Sequence, residues 1–128
     1  MIDDKYYKGF EGEIDVDIYY LNDKNERIGY KLWDGYFENI LSGAYHENFK
    51  VDGMLNSYSS HEGWYDEVPW KVENIFTAID ELKQYDENSI EPELNNMFSK
   101  LQEIIKKLIT LFEDCESNGK DIYIDYNN

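Results

Sequence analysis

Nine apolar residues, Leu94, Met97, Phe98, Leu101, Ile104, Ile105, Leu108, Phe112 and Cys115, recur at three- and four-residue steps, the spacing that lines one face of an α-helix. Pro92 suits the first turn of such a helix, where its missing N–H is no loss. Asn118-Gly119 ends it, because glycine accepts the left-handed backbone just past a helix terminus. The predicted helix covers about residues 92–117, and about 24 residues at 1.5 Å each extend roughly 36 Å, the width of a small domain. It is the expected spine of the fold.

A second pattern demands a sheet. From Glu13 to Leu21 the residues Ile14, Val16, Ile18 and Tyr20 alternate with Glu13, Asp15, Asp17 and Tyr19, the period of two that marks a half-buried strand. Asn22-Asp23-Lys24-Asn25 is turn chemistry, and Arg27 to Trp33 alternates again with Ile28, Tyr30 and Leu32 on one side, which predicts an antiparallel hairpin. Asp121 to Tyr126 closes the chain with the same period around Ile122 and Ile124.

Between these segments the signals are mixed. Tyr36, Phe37, Ile40, Leu41 and Ala44 predict a short helix within 34–47, with Asp34 as its cap. Residues 48–68 hold Gly53, Gly63 and several serines without a clear period, and are read as a long loop with a strand near Lys50 to Tyr58. From Pro69 a helix is expected, its stripe being Val72, Ile75, Phe76, Ile79 and Leu82 and its cap Asp66 or a neighbour. Together these predict one α+β domain over 1–128, a small antiparallel or mixed sheet made of the N-terminal hairpin and the C-terminal strand, covered by two or three helices.

Charge narrows the class of partner. Asp and Glu number 28 against 12 Lys and Arg, for a net charge of -16, and ten of the acids fall between residues 62 and 93. Such a field repels nucleic acid and anionic membrane and speeds encounter with a basic protein. With 41% apolar and 16% aromatic residues the chain is too rich in core formers for a disordered acidic tail. The opening Met1-Ile2-Asp3-Asp4-Lys5 lacks the basic start of a signal peptide and no stretch is apolar enough to span a membrane, so a cytoplasmic protein is expected. The lone Cys115 agrees with a reducing compartment, and its place in the helical stripe predicts a buried thiol.

The catalytic inventory is thin. His46 and His61 are each followed by Glu but stand outside H-E-x-x-H spacing, and no phosphate-binding glycine pattern, G-x-S-x-G or Cys-rich zinc motif occurs. Asp15-x-Asp17 superficially suggests calcium, yet it lies on a strand and not in the loop of an EF-hand. No catalytic residue, cofactor or metal is expected.

Two acidic patches remain as candidate binding surfaces. In the first, Glu13, Asp15, Asp17, Tyr19, Asp121, Tyr123 and Asp125 share one exposed sheet face if the strands pair; like charges facing each other across a sheet are unfavourable, so a cationic partner would account for them. Charge reversal at Asp15 and Asp17 is expected to weaken binding and to leave folding intact or improved. In the second, Trp64, Tyr65, Asp66, Glu67 and Trp70 sit on a glycine-containing loop, followed by Glu73, Asp80 and Glu81 on a helix. There Tyr65, Asp66 and Glu67 are the expected contacts, since aromatics ringed by charge are typical of binding hot spots, while Trp70 is expected to fold onto the core.

In size, acidity and α+β layout the chain resembles the immunity proteins that neutralise bacterial toxin domains. The resemblance is one of class, carries no motif and transfers no functional positions. It implies one-to-one binding to a basic protein partner, a cognate toxin domain, in the bacterial cytoplasm. A second reading uses the same acidic surface, a nucleic-acid mimic of the anti-restriction or anti-CRISPR type whose carboxylates occupy phosphate sites on a host enzyme; a third is an enzyme acting on a small cationic or sugar substrate in a concave pocket.

Overall fold

The computed structural model describes residues 1–89 and 97–127. Strands β1 (Ile2–Tyr6), β2 (Asp15–Leu21) and β3 (Arg27–Trp33) are followed by helices α1 (Asp34–Ala44) and α2 (Leu55–Ser60), strand β4 (Trp70–Lys71), helices α3 (Ile75–Lys83) and α4 (Phe98–Ser117), and strand β5 (Tyr123–Asn127). The five strands form one mixed sheet in the order β1-β3-β2-β5-β4. The fold is α+β, as the sequence predicts.

The hairpin forms where alternation placed it. Asn22 organises its turn: the side-chain oxygen accepts the backbone N–H groups of Lys24 and Glu26, both at 2.9 Å, as an Asx turn does. β2 runs antiparallel to β3 and to β5, with Ile18 opposite both Tyr30 and Ile124. Gly29 of β3 lies so close to β2 that a Cβ there would run into the Ile18 carbonyl oxygen; no larger residue fits.

One face of the sheet carries the core. Val16, Ile18, Leu32, Ile122 and Ile124 pack with Phe37, Ile40 and Leu41 of α1, Ala78 and Leu82 of α3, and Leu101, Ile104, Leu108 and Phe112 of α4, all essentially sealed from water. Each such Leu, Ile or Phe stabilises the fold by roughly 1.5 to 3 kcal/mol. The apolar stripe of α4 contributes Leu101, Ile104, Ile105, Leu108, Leu111 and Phe112 to the core, and Cys115 at its end is buried.

Several expectations change. β1 was not foreseen because Asp3, Asp4 and Lys5 are exposed and only Tyr6 is buried; it is an edge strand parallel to β3, tied to α4 by the Tyr6 hydroxyl, which donates to Glu103 Oε2 at 2.6 Å. Ile14, expected in the apolar row, precedes β2 and is exposed. The strand expected near residues 50–58 is replaced by α2, whose Leu55 inserts into the core beside Met54. Pro69 does not open a helix: Trp70 and Lys71 pair with β5, and α3 starts only after Asn74, whose side chain accepts the Thr77 N–H at 3.3 Å. Asn74, not Asp66, is therefore the cap. Phe76 leaves the expected stripe and is 63% exposed. Asp34 opens α1 but its side chain makes no capping bond. The expected start of the long helix, at Pro92 and Leu94, lies outside the described residues.

Candidate functional site

The second face of the sheet is where alternation placed the first acidic patch. Asp17 and Asp125 are directly opposite each other on β2 and β5, an arrangement of like charges that costs stability unless a cation stands between them. Arg27 of β3 supplies it. Its Nη1 donates to Asp125 Oδ2 at 2.9 Å and lies 3.7 Å from Asp17 Oδ2. Lys31 Nζ, four residues further along the same strand and on the same face, sits 2.8 Å from Asp15 Oδ2 and 2.9 Å from Asp17 Oδ1. The Arg27 guanidinium also covers the Tyr19 ring at 4.4 Å, and Tyr19 stacks on Tyr123 at 5.7 Å between centroids.

The expectation of five exposed carboxylates is thereby corrected. Asp17 and Asp125 are only 7% and 8% exposed, Tyr19 is buried, Asp15 and Tyr123 are half-buried, and Glu13 and Asp121, outside the strands, are the exposed members. Burial raises the Asp17 carboxyl above its ordinary range despite the opposing pull of Lys31. For Lys31 burial works the other way, but its bonds to Asp15 and Asp17 prevail and hold the ammonium up. The physical reason is register: residues 27, 29 and 31 point to the same side as 15, 17 and 19. That signal was present in the sequence, since Arg27 and Lys31 alternate with Ile28, Tyr30 and Leu32.

The second patch divides. Trp64 is fully buried against Phe37, and Trp70 sets its edge on Trp64 at 5.3 Å between centroids. Tyr65 turns inward as well: its hydroxyl donates to the Glu38 carboxylate at 3.0 Å, its ring stacks on His61 at 3.7 Å and meets Tyr126 edge-on. Beside it Asp34 holds a buried carboxyl oxygen with no hydrogen-bond partner among the described residues. Burial, reinforced by Glu38, pushes the Asp34 carboxyl up to about 7, and burial raises Glu38 too. Asp66 and Glu67 remain exposed, their backbone N–H groups turned in to Gly63. Glu81, counted from sequence with this patch, is buried and belongs to the core scaffold.

A third region was not singled out by the sequence. α4 ends with Asp114 and Glu116 in its last turn and no basic residue there, against the preference of a helix C-terminus for positive charge. Glu73 and Asp121 lie beside them along an open groove of about 290 Å³ between α3 and α4, with the exposed Phe76 on its wall. Lys120 is shared with a neighbouring groove of about 470 Å³, and its ammonium is held by Asp23 at 2.8 Å. Among the described residues Glu73, Asp114, Glu116 and Asp121 make no ion pair. Cys115 lies beneath both grooves, where burial pushes its thiol up to about 11, the state of an unreactive thiol.

Among the described residues no three His, Cys, Asp or Glu side chains are grouped to hold a metal ion, and no helix is long and apolar enough to cross a membrane. Comparison of the chain with protein-family models, curated proteins and solved structures returns no match.

Proposed function

We propose that this chain is an acidic protein-binding inhibitor of the immunity type, which holds one basic toxin domain in a one-to-one complex and obstructs its active surface. The observation that carries the reading is the segregation of charge. Arg27 and Lys31 are committed to the sheet face, while Asp66 and Glu67 on the loop, and Glu73, Asp114, Glu116 and Asp121 around the end of α4, make no ion pair among the described residues.

Physically, an uncompensated negative surface raises the rate of encounter with a cationic partner, and aromatic contacts set the lifetime of the complex. A nucleic-acid mimic is less well supported, because the sheet face interleaves cations with its carboxylates and so lacks the one-signed row that phosphate sites require.

Affinity capture on the immobilised full chain from the native host tests the proposal. The expected result is one basic domain whose activity is silenced at equimolar inhibitor and whose toxicity in cells is relieved by co-expression. Retention of several nucleic-acid enzymes that duplex DNA releases, or of nothing at low salt, overturns it.

A further inference from the structure

We propose that Tyr65, Glu38 and Asp34 form a pH-operated clasp that holds residues 65–69 against α1 in mild acid and releases them as pH rises past neutrality.

The segment hangs between two anchors. Trp64 is sealed in the core and Trp70 is paired with Ile124 of β5; between them only Tyr65 is turned inward, while Asp66, Glu67, Val68 and Pro69 are exposed. The backbone N–H groups of Asp66 and Glu67 reach no further than the Gly63 carbonyl, inside the same loop. The Tyr65 side chain ties the segment to the body of the protein: its hydroxyl donates to the Glu38 carboxylate at 3.0 Å, and its ring lies between His61 and Tyr126.

That bond sits beside a pair of carboxylates without a cation. Asp34 and Glu38 stand one turn apart on α1, close enough for like charges to repel, and neither makes an ion pair among the described residues. One buried oxygen of Asp34 has no hydrogen-bond partner among them either. The other titratable groups facing the pair are Tyr58 of α2, His61 and Tyr65 of the loop, and Tyr126 of β5. Burial raises all three phenols, which keep their protons near neutrality. Only His61 can carry positive charge, and an imidazole loses it as pH climbs through the physiological range.

In mild acid Asp34 is uncharged, and Glu38 meets the Tyr65 hydroxyl and the His61 ring with no like charge beside it. As pH climbs through about 7 Asp34 ionises, so two carboxylates face each other while the imidazole next to them is neutral. In the first turn of α1 the helix dipole favours the charge on Asp34. Glu38, with the longer stem and no such support, turns to water and drops the hydroxyl. The clasp is a property of the free chain; its consequence for a partner, that Asp66 and Glu67 are presented on a fixed segment in acid and a loose one in alkali, rests on the inhibitor reading.

The test follows the ring carbon signals of Tyr65 by NMR in the full chain from pH 5 to 8.5, with no partner present. They are expected to move toward the positions of free tyrosine with a midpoint near pH 7, while the Trp64 indole signal stays in place. Asp34→Asn is expected to keep the Tyr65 ring in its folded position at pH 8.5, and His61→Gln to retain the transition. Tyr65 signals that are constant over the range, a transition unaltered in Asp34→Asn, or one that His61→Gln abolishes overturns the clasp. So does a Trp64 signal that moves in parallel, which marks general unfolding. None of these results bears on the inhibitor reading, which affinity capture decides by itself.

Discussion

The carboxylate of Glu81, on α3, accepts the backbone N–H of Met54 at 2.6 Å and approaches that of Leu55 at 3.3 Å, so that one helix supplies the N-terminal cap of another. Helix N-terminal N–H groups have no partner within their own helix, and α2 brings no side-chain cap of its own. Burial raises the Glu81 carboxyl while these two N–H groups pull it down. Glu81→Ala strands buried donors and is expected to cost about 2 to 3 kcal/mol in urea unfolding. Gly53→Ala is expected to destabilise as well, because a Cβ there would stand 2.5 Å from both Glu81 oxygens. Wild-type stability in either variant would remove the cap from the account.

Arg27 is the hinge of the sheet face. Arg27→Ala leaves Asp17 and Asp125 opposed without their shared cation and takes the guanidinium off Tyr19; with the arginine side chain 43% exposed, water screens part of the loss, and a cost of about 1 to 3 kcal/mol is expected. The double reversal Asp15→Lys with Asp17→Lys, harmless to folding on the sequence alone, is now expected to lower the thermal midpoint, since it sets lysines against Lys31 and Arg27. Circular dichroism melts decide between the two.

Asp34 makes stability depend on pH. Its carboxyl is raised in the folded chain from 3.8 to about 7, so its contribution is fully present below the unfolded value and is lost as pH climbs from about 4 through about 7. Glu38, Tyr65 and Tyr126 are the titratable groups around it, and Glu38 is shifted in the same direction. Asp34→Asn is expected to flatten the decline across that window and to be the more stable protein at pH 8. Denaturation midpoints for both proteins between pH 4 and 8 check it; parallel curves would refute the assignment.

Asp66 and Glu67 are expected to act on the rate of encounter and not on folding. Replacing both with lysine should slow association with the captured partner several-fold at low salt without lowering the thermal midpoint, and should have no effect on association at 0.5 M salt. Tyr65→Ala, by contrast, is expected to destabilise the fold, because it removes the hydroxyl from Glu38 and the ring from His61 and Tyr126. Stopped-flow association measured beside melts separates these two roles.

Salt itself is informative for a chain with a net charge of -16. Self-repulsion among unpaired carboxylates is screened by added ions, so the thermal midpoint of the free protein is expected to rise between 10 and about 300 mM sodium chloride. A falling midpoint would mean that the ion pairs of the sheet face outweigh the surplus charge.

Local periodicity determined much of this protein. The alternation around Val16 and Ile18, the turn at Asn22 and the stripe from Leu101 to Cys115 each require their element, because a side chain's face is fixed by its position along the backbone. Those signals sufficed for the hairpin, most of α4, β5 and the α+β class. Tertiary structure decided what local pattern leaves open: that polar Ile2–Tyr6 is an edge strand, that Glu81 caps α2 from another helix, and that Phe76 stays outside while Tyr65 turns in. It also decided that Arg27 and Lys31 neutralise the carboxylates of β2 and β5, leaving the unpaired negative charge to Asp66 and Glu67 on the loop and to the end of α4. Burial and charge pairing depend on which distant segments meet, and that is settled by the packing of the whole chain.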